Sequence, residues 1–364
     1  MLQLDGNYCE GGGQIVRNAL ALSCLTGKAF EIKKIRQGRK KSGLKAQHLH
    51  CIKALEKLRN AKSEGVKLGS SNLKFYPGKI KGGKIEVDIG TAGSTTLLLQ
   101  SVLLPAFFAP KPVTLIITGG TNNPWSMPFE YLQEVFIPQI AKFCEKISAK
   151  LLKRGHYPKG GGKIEIKIKP KYKLNDCANF ETFWTQLQQN KHINSTEQGH
   201  LISIKGVSHA SKQLETKKVA ERQAKAAHQI LTNYCDSVTI HKEYCDTNSI
   251  GTGITLWAIY SKDKEDIDPE NSIRLGGNAL GERGKMAEQV GEEAAKMLLK
   301  AMKSGAPVDQ HLGDNLIPWL ALFKPSKIKV QEITNHLKTN IYTTEKFLGK
   351  VFIINEKNKE IKTK

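Results

Sequence analysis

No stretch of this 364-residue chain stays apolar for the roughly 18 to 20 residues that a membrane-spanning helix needs, because Gln100 and Pro105 interrupt the best run, Leu97 to Ala109. That run reads as a buried helix, and no membrane partner is expected. Cysteine is scarce and unpatterned: seven residues, at 9, 24, 51, 144, 177, 235 and 245, form no C-x-x-C pair. They read as reduced, mostly structural thiols, with no zinc site expected. The basic start and apolar stretch of a secretory leader are missing, since Asp5 and a glycine cluster stand there, so a cytoplasmic location is expected. Acidic residues are few: 34 Asp and Glu against 56 Lys and Arg leave a net charge of +22. Such a balance points to a polyanionic partner, nucleic acid before an anionic membrane, with a merely solvated lysine-rich surface as the other reading. Neither the K-x-D-G element of lysine-adenylating ligases nor a G-x-S-x-G hydrolase elbow occurs. Gly78 to Lys84 fits G-x-x-x-x-G-K, but Ile85 stands where a magnesium-binding hydroxyl is required and a strand pattern follows, so it is not a phosphate loop.

What is present is organised. Phe75 to Ile89 resembles His156 to Ile168 at an offset of 79 to 81 residues. In each, a Tyr-Pro turn and a glycine pair lead into an alternating strand with one buried face, Ile85-x-Val87-x-Ile89 and Ile164-x-Ile166-x-Ile168. A unit of about 80 residues is therefore read as duplicated. Helical patterns cover Ala46 to Leu58, Ser94 to Phe108, Pro128 to Ile147 and Leu280 to Met302, and a strand covers Val113 to Thr118. These elements predict an α+β fold with helices on one face of each sheet. From about Asp176 the glycine-turn signature stops, and a smaller α/β module follows. The expected organisation is a core of three repeated units in 1–175 and 272–350, an inserted α/β domain in 176–271 with the third repeat resuming at Ser272, and a basic C-terminal tail, 351–364.

Three segments could carry chemistry. In Asp5 to Leu20, three glycines at 11 to 13 let backbone approach a ligand and open a helix whose free N–H groups suit an anion. Glu10 there could hold a divalent cation and Arg17 could meet phosphate oxygens, the alternative being an ordinary strand-turn-helix. Positions 33 to 45 carry seven basic residues, Lys33, Lys34, Arg36, Arg39, Lys40, Lys41 and Lys45, with glycines between them. They read as contacts to a triphosphate, an RNA backbone or both, against the alternative of a solvated face. His311 and His336 each lie among polar residues beside apolar runs. Imidazole is both a fair nucleophile and a good leaving group for phosphorus, although a lone histidine is more often structural.

Taken together, E-G-G-G-Q-I-V-R at 10 to 17, R-Q-G-R at 36 to 39, G-T-A-G-S at 90 to 94, G-G-T-N-N-P at 119 to 124, H-Y-P-K-G-G-G at 156 to 162 and T-N-H-L at 334 to 337 resemble the RNA 3′-terminal phosphate cyclases in order and spacing along nearly the whole chain. The resemblance implies a repeated α+β unit shared with enolpyruvyl transferases and a smaller inserted α/β domain. It implies a ligase that adenylylates a histidine from ATP with Mg²⁺ or Mn²⁺, passes AMP to an RNA 3′-phosphate, and lets the 2′-hydroxyl close a 2′,3′-cyclic phosphate. On this resemblance His336 matches the nucleophile and Glu10 the metal-associated carboxylate. Arg17, Arg36, Arg39, Gln47 and Gln100 match nucleotide and phosphate contacts, and Pro128 lies near the adenine. Asp314 matches the family's pattern before the nucleophile, whereas His311 and Asn315 depart from its commoner aromatic and glutamine. The expected partners are ATP and RNA bearing a 3′-phosphate. A non-catalytic cyclase-like factor of ribosome biogenesis is the alternative, and it would lack the histidine at 336. A small-molecule enolpyruvyl transferase has no use for a net charge of +22.

Overall fold

The computed structural model describes residues 1–263 and 273–364. The chain opens with β1 (Leu2–Asp5), α1 (Gln14–Thr26), β2 (Phe30–Lys33), α2 (Ala46–Arg59), β3 (Lys62–Glu64) and β4 (Leu73–Tyr76). A second set comprises β5 (Gly83–Asp88), α3 (Thr95–Phe107), β6 (Val113–Gly119), the short helices α4 (Phe129–Tyr131) and α5 (Ile137–Ile140), β7 (Cys144–Lys153) and β8 (Gly162–Pro170). After α6 (Phe180–Gln188) and the two-residue β9 (Asn194–Ser195) come β10 (His200–Ser211), α7 (Val219–Leu231), β11 (Val238–Cys245), β12 (Thr252–Ser261), β13 (Ile273–Leu280) and α8 (Ala287–Lys303). The chain closes with α9 (Gln310–Leu322), β14 (Lys327–Lys329), α10 (Asn335–Leu348), β15 (Phe352–Asn355) and β16 (Glu360–Thr363).

Three sheets share one strand order: β1-β2-β4-β3, β5-β6-β8-β7 and β9-β14-β16-β15. In each the first two strands are parallel and the other pairings antiparallel. The fold is α+β, as expected. Equivalent elements of the first two sets are 81 positions apart, Leu2 from Gly83 and Gln14 from Thr95. The segments that suggested the duplication are not the equivalent ones. They align β5 with β8, which flank β6 on opposite sides in one sheet. Both are half-buried alternating strands after a glycine turn, and that shared local demand produces the likeness.

Three further expectations need correction. The fourth sheet, β11-β10-β12-β13, takes in β13 as the antiparallel neighbour of β12, and α8 packs on α7 and β13. The inserted unit therefore runs from β10 through α8, and what resumes the core is α9 and β14. The expected junction at Asn271 and Ser272 lies outside the described residues. At the other end, Phe180, Phe183 and Leu187 of α6 belong to the main core, so residues from 176 are not yet the insert. Residues 351–364 are no tail either: β15 and β16 form an antiparallel hairpin that completes the third sheet, with Ile361 fully buried. Its many lysines alternate with inward residues and masked that pattern. Finally, the helix expected over 128–147 is short and irregular. A π-turn at Leu132–Phe136 precedes Pro138, which has no N–H to continue an α ladder, and Cys144 already begins β7.

β12 shows how the insert is fastened. Ile254, Leu256, Ala258 and Tyr260 face the insert's own core, while Trp257 and Ile259 face the main core, so alternation buries both faces of one strand. At Gly276 a Cβ would lie 2.3 Å from the Tyr131 ring, so only glycine lets β13 come this close to α4.

Candidate active site

Helix α1 is enclosed by other helices. It packs against α3 and α10, and α10 packs against α9. Every residue of α1 is buried, including the polar Gln14, Arg17 and Asn18. It begins at the glycine triplet, where Gly11 takes φ +56° and Gly13 is the N-cap. A Cβ on Gly13 would meet His48 Nε2 at 2.4 Å and Arg17 Nη1 at 2.9 Å, so glycine allows two nitrogen-bearing side chains to crowd beneath the loop.

Arg17 Nε donates to Gln100 Oε1 at 2.7 Å, Gln100 Nε2 donates to Asn315 Oδ1 at 2.7 Å, and Asn315 Nδ2 donates to the His311 carbonyl at 2.7 Å. Four residues expected at a nucleotide site are thus one chain of hydrogen bonds spanning α1, α3 and α9. Burial pulls the Arg17 guanidinium down to about 10, which leaves it cationic at neutral pH, and no carboxylate pairs with it among the described residues. Beside it the His48 imidazole is held well below its usual range by burial and by the charges of Arg17, Arg36 and Lys45. The Lys45 backbone N–H donates to His48 Nδ1 at 3.0 Å, so the ring's own proton sits on Nε2. That N–H, with Gln14 Nε2 and Arg36 Nε, is buried without a partner among the described residues. A buried cation and three unsatisfied donors make an environment for an anion.

His336 stands in the first turn of α10, whose N-cap Thr334 accepts from the Leu337 N–H at 2.9 Å and donates to Asp314 Oδ1 at 2.6 Å. Its Nδ1 lies 2.8 Å from both oxygens of Glu10. A carboxylate can only accept, so Nδ1 carries a proton, and in the neutral ring that leaves the lone pair on Nε2. Arg39 clasps Glu10 from the other side, Nη2 to Oε2 at 3.0 Å and Nε to the Glu10 carbonyl at 3.1 Å. Burial, opposed by the Thr334 hydrogen bond and reinforced by Asp309 and Glu10, lifts the Asp314 carboxyl to about 7.

A cavity of about 780 Å³ joins these groups, with Glu10, Arg17, Gln100, His311, Asp314, Asn315 and His336 in its wall. Residues of the insert, among them Asn278, Glu282 and Lys285, also line it. Arg36, Arg39, Gln47 and Pro128 do not line it. Arg36 and Arg39 sit on the loop beyond the glycine triplet, where Arg36 itself takes φ +56°, and Pro128 caps α4. Lys33, Lys34, Lys40 and Lys41 are exposed, whereas Lys45 Nζ donates to the Ser42 carbonyl at 2.7 Å. Two features escaped the sequence. His48 follows the basic run at 33 to 45, its only signal being its place one residue after Gln47. The insert's contribution had no local signal beyond the Gly276-Gly277 pair within a strand. No group of three His, Cys, Asp or Glu side chains among the described residues could hold a metal alone.

An imidazole held by a carboxylate and an arginine without a carboxylate partner among the described residues line one cleft on an α+β scaffold, an arrangement suited to an anionic ligand. Sequence comparison makes the class specific. The family profile described as RNA 3′-terminal phosphate cyclase matches residues 8–354, and the chain belongs to that family. It is 45 % identical over 352 residues to the RNA 3′-terminal phosphate cyclase of Pyrococcus furiosus, covering 97 % of this chain and 94 % of the relative. The cyclase of Archaeoglobus fulgidus is 40 % identical, with 96 % and 97 % covered. That of Methanococcoides burtonii is 41 % identical over 362 residues, with 100 % and 99 % covered.

Proposed function

We propose that this chain converts the 3′-terminal phosphate of RNA to a 2′,3′-cyclic phosphate at the expense of ATP, by way of an adenylylated His336. The observation that carries the reading is the 2.8 Å contact between His336 Nδ1 and Glu10, because in the neutral ring it assigns the proton to Nδ1 and the lone pair to Nε2, on the wall of the cleft that Arg17 also lines. In the first step the Nε2 lone pair attacks the α-phosphorus of ATP, the bond to the bridging oxygen breaks, and pyrophosphate leaves. The positive charge that develops on the ring is offset by the Glu10 carboxylate, as in other carboxylate-histidine pairs. An oxygen of the RNA 3′-phosphate then attacks the same phosphorus, the N–P bond breaks, and the imidazole is restored. The 2′-hydroxyl next attacks the 3′-phosphorus, gives up its proton, and AMP leaves. Ring closure is intramolecular and gains from effective molarity, so the protein's task is positioning and charge stabilisation.

Arg17, His48 and the α1 N-terminus meet phosphate oxygens, and Gln100, Asn315 and His311 hold the nucleotide side of the cleft. Magnesium typically takes one or two carboxylates and completes its shell with phosphate oxygens and water, which suits Glu10 as the protein ligand of a Mg²⁺ or Mn²⁺ ion arriving with the triphosphate and neutralising its charge. The presence of His336 disfavours the non-catalytic reading. The test is intact mass after incubation with ATP and magnesium: one added AMP, mapped to His336, lost in His336→Asn and retained after base. An adduct of equal yield in His336→Asn, or none in the unaltered protein, overturns the reading.

A further inference from the structure

Trp125 is 99 % exposed and takes φ +58°, a left-handed backbone that a bulky aromatic rarely adopts. It is not on a loose loop. On either side, the Gly120 N–H donates to the Gly93 carbonyl at 2.8 Å, the Thr121 N–H to the Gly155 carbonyl at 2.9 Å, and Thr96 Oγ1 to the Met127 carbonyl at 2.7 Å. Within the turn, Ser126 Oγ donates to the Asn123 carbonyl at 3.2 Å, and Asn123 Nδ2 donates to the Ala92 carbonyl. A rigid, strained turn therefore presents a full indole face to water. Ten large apolar side chains are exposed among the described residues, and Trp125 is the one that lines the cavity containing His336. An exposed indole fixed in place is a ready surface for a flat, weakly hydrated ring, and single-stranded nucleic acid recognised at its end offers one in its unpaired terminal base.

We propose that Trp125 is the stacking platform for the terminal nucleobase of the RNA, positioning the 3′-phosphate at the cleft; the inference rests on the cyclase reading above. Stacking tolerates every base, so it anchors the end without selecting its sequence. The alternative occupant is the adenine of ATP, and the two are separated by which KM moves.

Steady-state cyclisation of a 3′-phosphorylated RNA is compared among the unaltered enzyme, Trp125→Ala and Trp125→Phe. Loss of one base stack should raise the KM for RNA about tenfold or more in Trp125→Ala, and Trp125→Phe should recover most of it. The KM for ATP should hold, as should the yield of His336 adenylate, which forms before RNA binds. An RNA whose terminal nucleotide is abasic should lose the same factor with the unaltered enzyme and nothing more with Trp125→Ala. An unchanged KM for RNA in Trp125→Ala overturns the proposal, and a raised KM for ATP reassigns the indole to adenine. Absence of His336 adenylate and of cyclic product with the unaltered enzyme would instead be a failure of the cyclase reading.

Discussion

Glu10 and His336 are 326 positions apart in the chain, yet the carboxylate and the imidazole Nδ1 are in hydrogen-bond contact at 2.8 Å. The pair fixes the tautomer on which the proposed chemistry depends. Glu10→Gln preserves the shape but removes the charge that offsets the ring cation. Adenylylation of His336 in a single turnover should slow by tenfold or more, while the melting temperature stays close to that of the unaltered protein. Adenylylation at the unaltered rate would remove Glu10 from the mechanism.

Arg17 is a buried cation with no carboxylate partner among the described residues, a costly arrangement unless an anion offsets it. Arg17→Met keeps much of the volume and removes the charge. The ligand-free protein should melt higher by about 2 °C or more, and its affinity for ATP, measured by titration calorimetry, should fall at least about tenfold. A variant that loses stability would mean that Arg17 serves the fold through Gln100 rather than the ligand.

Asp314 has its pKa raised to about 7 from 3.8, chiefly by burial. Between those values the folded state keeps a proton that the unfolded state has released, so stability declines as pH rises from about 4 to 7 and the full penalty remains above 7. Linkage sets its order of magnitude at about 4 kcal/mol. Asp314→Asn, which still accepts from Thr334, should therefore melt higher than the unaltered protein at pH 8 and lose that advantage at pH 4. Equal melting differences at both pH values would count against a buried neutral carboxyl.

Lys33, Lys34, Lys40 and Lys41 face solvent beside the glycine triplet, and RNA affinity should depend on them through phosphates. Replacing Lys40 and Lys41 together by alanine should reduce the slope of log affinity against log salt by about 1.4, roughly 0.7 per lost contact on a single strand. Chemistry should discriminate the terminus: a 3′-hydroxyl end stays inert, and a 2′-deoxy 3′-phosphate end accumulates as the adenylate because its closing nucleophile is gone. Equal handling of these two ends and of a ribose 3′-phosphate end, with no ATP consumed, would favour the non-catalytic alternative.

The β15–β16 hairpin is structural. Ile361→Ala should destabilise the protein by about 2 to 5 kcal/mol in urea unfolding, the cost of a large-to-small change in a packed site. Deletion of residues 351–364 should abolish soluble folded protein. A deletion variant melting like the full chain would restore the reading of a dispensable tail.

Much of the fold was legible because its signals are local. Ile85, Val87, Ile89 and Ile164, Ile166, Ile168 are all buried, as their alternation requires, and the helix expected at Ala46 runs from Ala46 to Arg59. Where the signal was local but ambiguous, reading went astray. The α8 stripe marks a helix without saying which sheet it covers, and the hairpin at the end was obscured by lysines on its outer face. Arg17 and His311 were picked out within their own segments and Gln100, Asp314 and Asn315 through resemblance, and nothing in their spacing told that Arg17, Gln100 and Asn315 form a continuous relay with the His311 carbonyl.

The sequence by itself determined the periodicities and the glycine-opened helix α1, which depend on residues within a few positions of one another, and the excess of positive charge, which is a sum over the chain; the candidate nucleophile came from the resemblance of motifs spread along it. Only the tertiary structure decided that Glu10 meets His336, that His48 turns toward Gly13 an N–H without a partner among the described residues, that the insert contributes to the lining of the cleft, and that Trp125 stands bare in that lining. Those relations arise where α1, α3, α9 and α10 pack together. Their register is set by the whole core at once, and no local pattern carries it.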